Sequence, residues 1–475
     1  QSFRTTAERV HHLSAAMAAE GLAPGDRVAI LATDSIEHVE ILLACLRSGV
    51  VFCDLNFRLR PVELDNIMER ARVRAVFHSA RYGDEAQRLA DDHGCRRWCL
   101  DDDLDALIAT GERYPAPPVS LARGEDLVSI AFTSGTTGTP KGVMQSERML
   151  RNIVYSGIRE IDIRPGGFRY SGASLFHISG IGSILYAIAG GCGSLVLEQF
   201  DAPTVLDWMR DGGLTHCTLI PTMIASLLAL PGARDSAYPA MRSIMYGGAA
   251  ITPALLRDLI ATFDCDLYNG FGAGTEAGGQ TMLSAADHRR AMHGAEHLLG
   301  SIGLPILGVD LRLCDDDLRD VAPGEIGEIV TRSETIMSGY LDQPELTAHS
   351  IVDGWFRAGD MAYMDDEGYL YLATRKADMI IRGGENVYPN EIESVLAEHP
   401  AVASAAVVGV PDDHWGEIVG AAVVLRDGHS IDVEELRTFC RSHIASYKVP
   451  EVVRIVSALP TNPTGKVIKD ELGPL

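Results

Sequence analysis

Residues 25–49, GDRVAILATDSIEHVEILLACLRSG, contain a strand-like segment followed directly by a helix-like segment. GDRVAILA is typical of a buried strand, and SIEHVEILLACLRSG is typical of a helix. The next segments, VRAVFHS (73–79) and YGDEAQRLADDHG (82–94), repeat this order. Strands that alternate with helices favour a parallel sheet covered by helices on both faces. We therefore predict an α/β fold.

The alternation continues along the chain and then changes character. It runs from SLVLEQF (194–200) to TPALLRDLIATF (252–263), but after about residue 300 short strands and turns dominate. We expect a large N-terminal domain, residues 1–374, with parallel-type sheets flanked by helices and a small β-rich subdomain from about 300. Residues 375–378 would tether a small α+β C-terminal domain, residues 379–475, to it.

Composition and charge exclude several classes of protein. The chain has 475 residues, 46% of them hydrophobic, and a formal net charge of −24. This acidic excess argues against broad binding to nucleic acid. The nine cysteines are scattered and odd in number, which favours a reduced, cytoplasmic setting. Neither a membrane span nor a signal peptide is expected, because no apolar run approaches ~20 residues and the first residues have an amphipathic pattern.

The stretch AFTSGTTGTPKGV, residues 131–143, gathers hydroxyls and glycines ahead of one lysine. Glycines let consecutive backbone N–H groups curl around an anion, while the hydroxyls and the lysine add donors and charge. Phosphate suits all three, although a flexible surface loop has the same composition. The stretch is not a Walker A motif, because Pro140 precedes the lysine and Gly142 follows it. The candidate phosphate-binding residues are Thr133, Ser134, Gly135, Thr136, Thr137, Gly138 and Lys141.

Other segments accompany this loop in a fixed order. They are SLFHISG (174–180), YGGAAI (246–251), YNGFGAGTEAGG (268–279), WFRAGDMAYMDDEGYLYLATRKADMIIRGGENVYPNEIE (355–393) and LPTNPTGKVIK (459–469). Together with the loop they closely resemble the motifs of the adenylate-forming superfamily, of the acyl-CoA synthetase and aryl-CoA ligase type. The resemblance extends over nearly the whole chain.

The resemblance implies an acid–thiol ligase that uses ATP, Mg²⁺ and coenzyme A. Such an enzyme joins a carboxylic acid to AMP and then passes the acyl group to coenzyme A. An aryl, alicyclic or medium-chain fatty acid is the expected substrate. Two alternatives stay open: an acyl-AMP ligase that loads a carrier-protein thiol, and a catalytically silent nucleotide- or acyl-binding homologue. The sequence leaves both a monomer and a homodimer open.

The resemblance also assigns roles to residues. Glu276 would ligate Mg²⁺, Thr275 would donate to the α-phosphate, and Lys466 would reach the substrate carboxylate and the α-phosphate from the C-terminal domain. Asp360 would accept hydrogen bonds from both ribose hydroxyls. The remaining residues expected to contact the nucleotide are Gly247, Gly248, Ala249, Asn269, Phe271, Gly272 and Arg375.

Two further groups of residues follow from the resemblance. Ala377 occupies the hinge position, where the family usually has a charged residue, and Gly383 and Gly384 would line a tunnel for coenzyme A. His177 would be a gate between the acyl pocket and that tunnel. The expected acyl pocket consists of small, apolar or aromatic residues: His177, Ile178, Gly182, Tyr246, Gly247 and Gly272.

Overall fold

The computed structural model describes residues 1–117, 122–133, 140–249, 251–383, 385–412, 414–461 and 467–472. The α-helices are α1 (Phe3–Ala19), α2 (Ile36–Ser48), α3 (Pro61–Ala71), α4 (Gly83–His93), α5 (Leu104–Gly111), α6 (Glu147–Glu160), α7 (Ile178–Gly190), α8 (Ala202–Arg210), α9 (Pro221–Leu228), α10 (Pro253–Thr262), α11 (Gly274–Ala277), α12 (Ala285–Met292), α13 (Pro344–Ser350), α14 (Pro389–Glu398) and α15 (Val433–Arg441).

The strands are β1 (Arg27–Leu31), β2 (Val51–Asp54), β3 (Ala75–His78), β4 (Arg96–Cys99), β5 (Leu127–Thr133), β6 (Lys141–Ser146), β7 (Phe168–Ser171), β8 (Gly193–Leu195), β9 (Leu214–Leu219), β10 (Ser243–Gly247), β11 (Asp266–Phe271), β12 (Thr281–Leu283), β13 (Leu304–Pro305), β14 (Val309–Cys314), β15 (Gly327–Ser333), β16 (Gly339–Tyr340), β17 (Ile351–Val352), β18 (Trp355–Met364), β19 (Leu370–Arg375), β20 (Ile380–Arg382), β21 (Glu385–Val387), β22 (Val402–Asp412), β23 (Gly416–Leu425) and β24 (Val452–Val456).

The first sheet contains the strand and helix of the 25–49 stretch. Its order is β16-β6-β5-β2-β1-β3-β4, with β1 to β5 parallel and with β6 and β16 added antiparallel. Helix α2 begins where the Ser35 hydroxyl accepts from the His38 N–H at 3.1 Å, and it ends at Gly49 in the left-handed region. Helices α1, α2 and α5 cover one face of the sheet, and α3 and α4 cover the other. The predicted α/β class is confirmed.

The second sheet has the order β13-β12-β11-β10-β9-β7-β8. Strands β7 to β11 are parallel, whereas β12 and β13 are antiparallel. Helices α8, α9 and α10 pack on one face around Leu206, Ile224 and Leu259. Strand β8 is short, and it pairs in parallel with β7.

Two antiparallel sheets follow. The third sheet has the order β14-β15-β18-β17, with β19 paired to β18, and it corresponds to the expected β-rich subdomain. Two short strands from that part of the sequence pair elsewhere: β13 joins the second sheet and β16 joins the first. The fourth sheet, β21-β20-β23-β22 with β24 on β23, packs against α14 and α15.

The change from the third to the fourth sheet occurs over a few residues. Strand β19 ends at Arg375, a short turn of helix spans Lys376–Asp378, and β20 begins at Ile380. The Lys376 ammonium donates to Glu328 at 3.2 Å and also pairs with Asp316, so this turn is tied to the third sheet. Within the described ranges, no helix is both long enough and apolar enough to cross a bilayer.

Candidate active site

A cavity of about 1040 Å³ collects residues from the ends of the first two sheets and from the third. Many of the residues singled out in the sequence line it: Thr133, Lys141, His177, Ile178, Tyr246, Gly247, Gly248, Phe271, Gly272, Thr275, Glu276 and Arg375. Other predicted residues are described but do not line it, namely Gly182, Ala249, Asn269, Asp360, Ala377 and Gly383. The rest lie outside the described residues: Ser134, Gly135, Thr136, Thr137, Gly138, Gly384 and Lys466.

The two ends of the hydroxyl-rich loop are held side by side at the cavity wall. Strand β5 ends at Thr133 and β6 begins at Lys141, and these two residues are direct cross-strand partners. The Arg70 guanidinium donates to the carbonyl oxygen of Pro140 at 2.5 Å and to that of Leu341 at 3.0 Å. Arg70 therefore fixes the start of β6, and with it the backbone of Lys141, relative to the segment that follows β16.

Glu276 projects from α11, a short helix that directly follows β11. Two backbone contacts hold this helix in place. The Gln145 side chain donates to the Thr275 carbonyl oxygen at 2.9 Å, and the Met337 N–H donates to the Glu276 carbonyl oxygen at 2.7 Å. Because Gln145 lies on β6, the same strand that begins at Lys141, the lysine and the glutamate are positioned by one framework.

Opposing electrostatic effects meet at Glu276. Burial raises the pKa of its carboxyl above the ordinary value, whereas the charges of Arg375 and Lys141 and a hydrogen bond from Tyr340 lower it. Burial and the Glu276 charge in turn raise the pKa of Tyr340 to about 12, so the phenol keeps its proton and donates. The Lys141 ammonium lies 5.7 Å from the centroid of the Tyr340 ring. The side chains of Lys141, Glu276, Tyr340 and Arg375 form one charged cluster.

The cluster fits a hard cation held between a carboxylate and phosphate oxygens. Mg²⁺ is usually bound through one or two carboxylates, with substrate phosphates and water completing its shell. Glu276 supplies one carboxylate on the cavity wall. Within the described ranges, no group of three or more His, Cys, Asp or Glu side chains is placed to hold a metal ion.

A flat backbone wall is formed where β10 and β11 run side by side. Gly247 and Gly270 are direct partners, and a Cβ atom placed on Gly247 would lie 2.4 Å from the Gly270 carbonyl oxygen. Only glycine fits such an approach. The Tyr246 ring is buried, with its hydroxyl 2.9 Å from His288 Nε2, so Tyr246 contributes a fixed edge to the cavity.

Asp360 and Arg375 lie opposite each other on β18 and β19. Arg375 Nε is 3.2 Å from Asp360 Oδ1, and the carboxylate is buried whereas about half of the arginine side chain is exposed. The structure thus brings together two residues that the sequence assigned to the ribose and phosphate. Arg375 also acts on Glu276, which links this pair to the charged cluster.

The segment SLFHISG leads into α7 on the apolar side of the cavity. His177 caps the helix, with its Nδ1 accepting from the Ser179 N–H at 3.2 Å, and burial lowers the pKa of the imidazole. The ring is therefore neutral near pH 7. The Leu175 N–H donates to Asp34 at 2.9 Å, which fixes the loop ahead of the helix. Ile178 packs against Gly274, next to the charged cluster.

Sequence reasoning missed two residues that line the cavity and one that supports its wall. Tyr340 contacts Glu276 and Lys141, and Arg169 also lines the cavity. Arg70 lies outside the lining but holds both β6 and the chain after β16. None of them belongs to a motif that the sequence displays. The arginine within FRYS was the one local signal, since a charged residue inside a short apolar strand is unusual.

Two residues of the predicted hinge and tunnel, Ala377 and Gly383, do not line the cavity. Ala377 is exposed within the turn between β19 and β20. Gly383 follows β20 with a positive φ, and its N–H donates to the Trp415 carbonyl oxygen at 2.7 Å. A Cβ atom on Gly383 would lie 2.7 Å from the Trp415 ring, so glycine is required there.

The fold and the cavity define a nucleotide-binding enzyme built from a large and a small α/β unit. Residues 1–341 match the family model described as AMP-binding enzyme, and residues 391–466 match AMP-binding enzyme C-terminal domain. The chain belongs to the AMP-binding enzymes of the adenylate-forming superfamily, as its motifs predicted.

Similar proteins include ligases for two kinds of thiol. The chain is 34% identical to the fatty acid–[acyl-carrier-protein] ligase ScoC of Streptomyces coeruleorubidus, over 98% of this chain and 91% of that protein. It is 35% identical to feruloyl-CoA synthase of an Amycolatopsis species, over 99% of this chain and 93% of that protein. The crystal structure of ATP-bound MatB from Rhodopseudomonas palustris superposes with a TM-score of 0.91 at 28% identity, covering 99% and 92% of the two chains.

Proposed function

We propose that this protein activates a carboxylic acid with ATP and transfers the acyl group to coenzyme A. In the first half-reaction a carboxylate oxygen bonds to the α-phosphorus of ATP, and pyrophosphate leaves. In the second half-reaction a thiolate bonds to the acyl carbon, and AMP leaves. Both steps bring anionic groups together, so fixed cations and donors have the main catalytic task.

One observation carries this proposal: Lys141, Glu276, Tyr340 and Arg375 converge on a single cavity that also has a backbone wall and an apolar side. Lys141 and the hydroxyl-rich loop would hold the β- and γ-phosphates. Glu276 would hold Mg²⁺, which neutralises phosphate charge when bound. The glycines of β10 and β11 offer a flat surface on which an adenine ring could lie.

The remaining assignments extend the proposal to both half-reactions. Asp360 and Arg375 would bind the ribose, and Thr275 the α-phosphate. Lys466 would bring a positive charge to the two reacting anions during adenylation. Residues 375–378 would then act as the hinge between residues 1–374 and 379–475, and Gly383 and Gly384 would line the path of the thiol.

A carrier-protein thiol is the second candidate acceptor, and similarity to ScoC favours it specifically. The two acceptors differ in size and charge but would meet the same acyl-adenylate. His177, the N-cap residue of α7, lines the cavity, and we expect either thiol to approach the acyl-adenylate near it.

The test is ATP–pyrophosphate exchange with a panel of aryl, alicyclic and aliphatic acids, followed by thioester formation with free coenzyme A or with an acyl-carrier protein. Acid-dependent exchange and a coenzyme A thioester are the expected results. A thioester on the carrier protein alone would favour the second acceptor. Absence of exchange with every acid at saturating ATP and Mg²⁺ would contradict adenylation altogether.

A further inference from the structure

Arg169 lies inside the protein, on β7, at the wall of the cavity. Its exposed fraction is 2%, yet its side chain contributes to the cavity lining. A guanidinium carries a positive charge throughout the physiological pH range. Removing such a charge from water is costly unless an anion compensates it.

The contacts that Arg169 makes within the protein are neutral. Its Nε donates to Ser183 Oγ at 2.8 Å and its Nη2 donates to Thr218 Oγ1 at 2.5 Å. The guanidinium also lies 5.6 Å from the Tyr186 ring centroid. Among the described residues, no carboxylate pairs with it, and its buried Nη1 has no hydrogen-bond partner. Burial lowers the pKa of the guanidinium, as expected for an uncompensated buried charge.

Two other arginines of the same cavity are compensated by carboxylates. Arg375 pairs with Asp360, and Arg357 forms a two-pronged pair with Glu328. Arg169 thus differs from them in carrying an unpaired donor in a buried position. An unsatisfied donor of this kind indicates a missing acceptor, which the cavity is large enough to supply from a ligand.

The position of Arg169 along the sheet relates that acceptor to the backbone wall. Thr218, which binds the guanidinium, is the cross-strand partner of Met245 on β10. Gly247, in the backbone wall, lies two residues further along the same strand, or roughly 7 Å at a rise of ~3.3 Å per residue. A group bound by Arg169 would therefore lie beside the backbone wall and not on it.

We propose that Arg169 binds a second carboxylate at the far end of the substrate, so that the preferred acids are dicarboxylates activated at one end. The planar fork of a guanidinium matches two carboxylate oxygens, and the charge-assisted hydrogen bonds would satisfy Nη1. This inference rests on the proposed function and adds the substrate class to it.

The first experiment measures ATP–pyrophosphate exchange of the wild-type enzyme with α,ω-dicarboxylates from succinate to sebacate. Each diacid is paired with the monocarboxylate and the ω-amide of the same length. At the best length, kcat/KM for the diacid should exceed that of both partners by about tenfold to a hundredfold, the usual range for a hydrogen bond to a charged group. Equal or better exchange with the monocarboxylate or the ω-amide at every length would overturn the inference while leaving the proposed function intact.

The second experiment repeats the comparison with variants. Arg169→Met should bring the diacid-to-monoacid ratio of kcat/KM close to one, and Arg169→Lys should give an intermediate ratio because it keeps the charge but not the fork. The matched control is Arg81→Met, which removes a mostly exposed arginine, paired with Glu198, from the same cavity. An unchanged ratio in Arg169→Met, or an equal loss in the control, would overturn the inference. If Arg169→Met fails to fold, the wild-type series decides alone, and exchange with no acid would refute the proposed function itself.

Discussion

At the scale of single residues, Glu276 holds a charge that burial opposes and that two cations favour. Glu276→Gln keeps the shape of the side chain but removes the charge that would bind Mg²⁺. We expect ATP–pyrophosphate exchange to fall by about a hundredfold to a thousandfold, the usual range for losing one preorganised electrostatic contact. The Mg²⁺ concentration needed for half-maximal exchange should also rise.

The matched control for that variant is Glu147→Gln. Glu147 accepts from the Gly124 N–H at 3.0 Å and pairs with Arg151, and it lies just beyond β6 without lining the cavity. Exchange in the control should stay within about twofold of wild type, because an exposed helix pair contributes little. A comparable loss in both variants would show that the effect at position 276 is not one of metal binding.

Asp34 allows a prediction about stability and pH. Burial raises its pKa to about 6, although it accepts from the Leu175 N–H. Between about pH 4 and pH 6 the folded protein therefore holds a proton that the unfolded chain releases, so this group makes the fold less stable as pH rises. Asp34→Asn keeps the acceptor oxygen and removes the charge. Relative to wild type, its free energy of unfolding should increase by about 2 to 3 kcal/mol between about pH 4.5 and pH 7.

Urea unfolding of both proteins at the two pH values measures this difference. Both proteins keep the buried pair formed by His38 Nε2 and Asp54 Oδ1, which lie 2.8 Å apart. The contribution of Asp34 to the free energy of unfolding falls as pH rises. A salt-bridged aspartate has the opposite effect, because its contribution is lost when the pH falls. A difference between the two proteins that does not change with pH would contradict the raised pKa.

At the scale of the structural element, the contact between β10 and β11 sets the backbone wall. In Gly247→Ala the new methyl group would meet the Gly270 carbonyl oxygen at 2.4 Å, and a backbone atom cannot swing aside. The two strands must separate, which should cost about 1 to 3 kcal/mol of stability and raise KM for ATP. Thermal unfolding and exchange kinetics measure the two effects. Gly300→Ala is the control, since nothing lies within 4 Å of its added Cβ, and it should alter neither quantity.

Individual helices and strands also differ in how well the sequence could predict them. The strand and helix of residues 25–49 have local signals that agree: an apolar run, a serine at the helix start and a glycine at its end. The lengths and pairing partners of edge strands depend on segments that are far away in the sequence. Strand β16, for example, pairs with β6, which lies far away along the sequence.

The residues of the site also fall into two groups, those that the sequence could predict and those that it could not. Glu276, Lys141 and Arg375 stand in recognisable motifs, so their chemistry could be predicted, and the structure brings them together. Tyr340 and Arg169 stand in no motif, and their importance arises from burial and from partners that folding supplies. A residue whose role is created by long-range packing leaves little trace in one sequence.

At the scale of the whole molecule, we propose that the two half-reactions use different placements of residues 379–475, with the turn between β19 and β20 as the hinge. Lys376 is anchored to Glu328, whereas Ala377 is exposed, so a change at Ala377 acts on the turn with few other contacts. Ala377→Pro fixes φ at this position and removes its N–H. We expect exchange within about twofold of wild type and thioester formation reduced by about tenfold or more, because only the second half-reaction needs the rotation.

The opposite pattern should follow from Lys466→Ala, which removes the cation proposed for adenylation. Its exchange should fall by about a hundredfold, while thioester formation from supplied acyl-AMP should be retained. Measuring both half-reactions in both variants, with Ala377→Ser as the control for substitution at the turn, separates the two roles. The hinge assignment fails if Ala377→Pro slows both half-reactions equally, and the lysine assignment fails if Lys466→Ala does so. Opposite defects in the two variants would mean that one cavity serves two reactions through movement of the smaller unit.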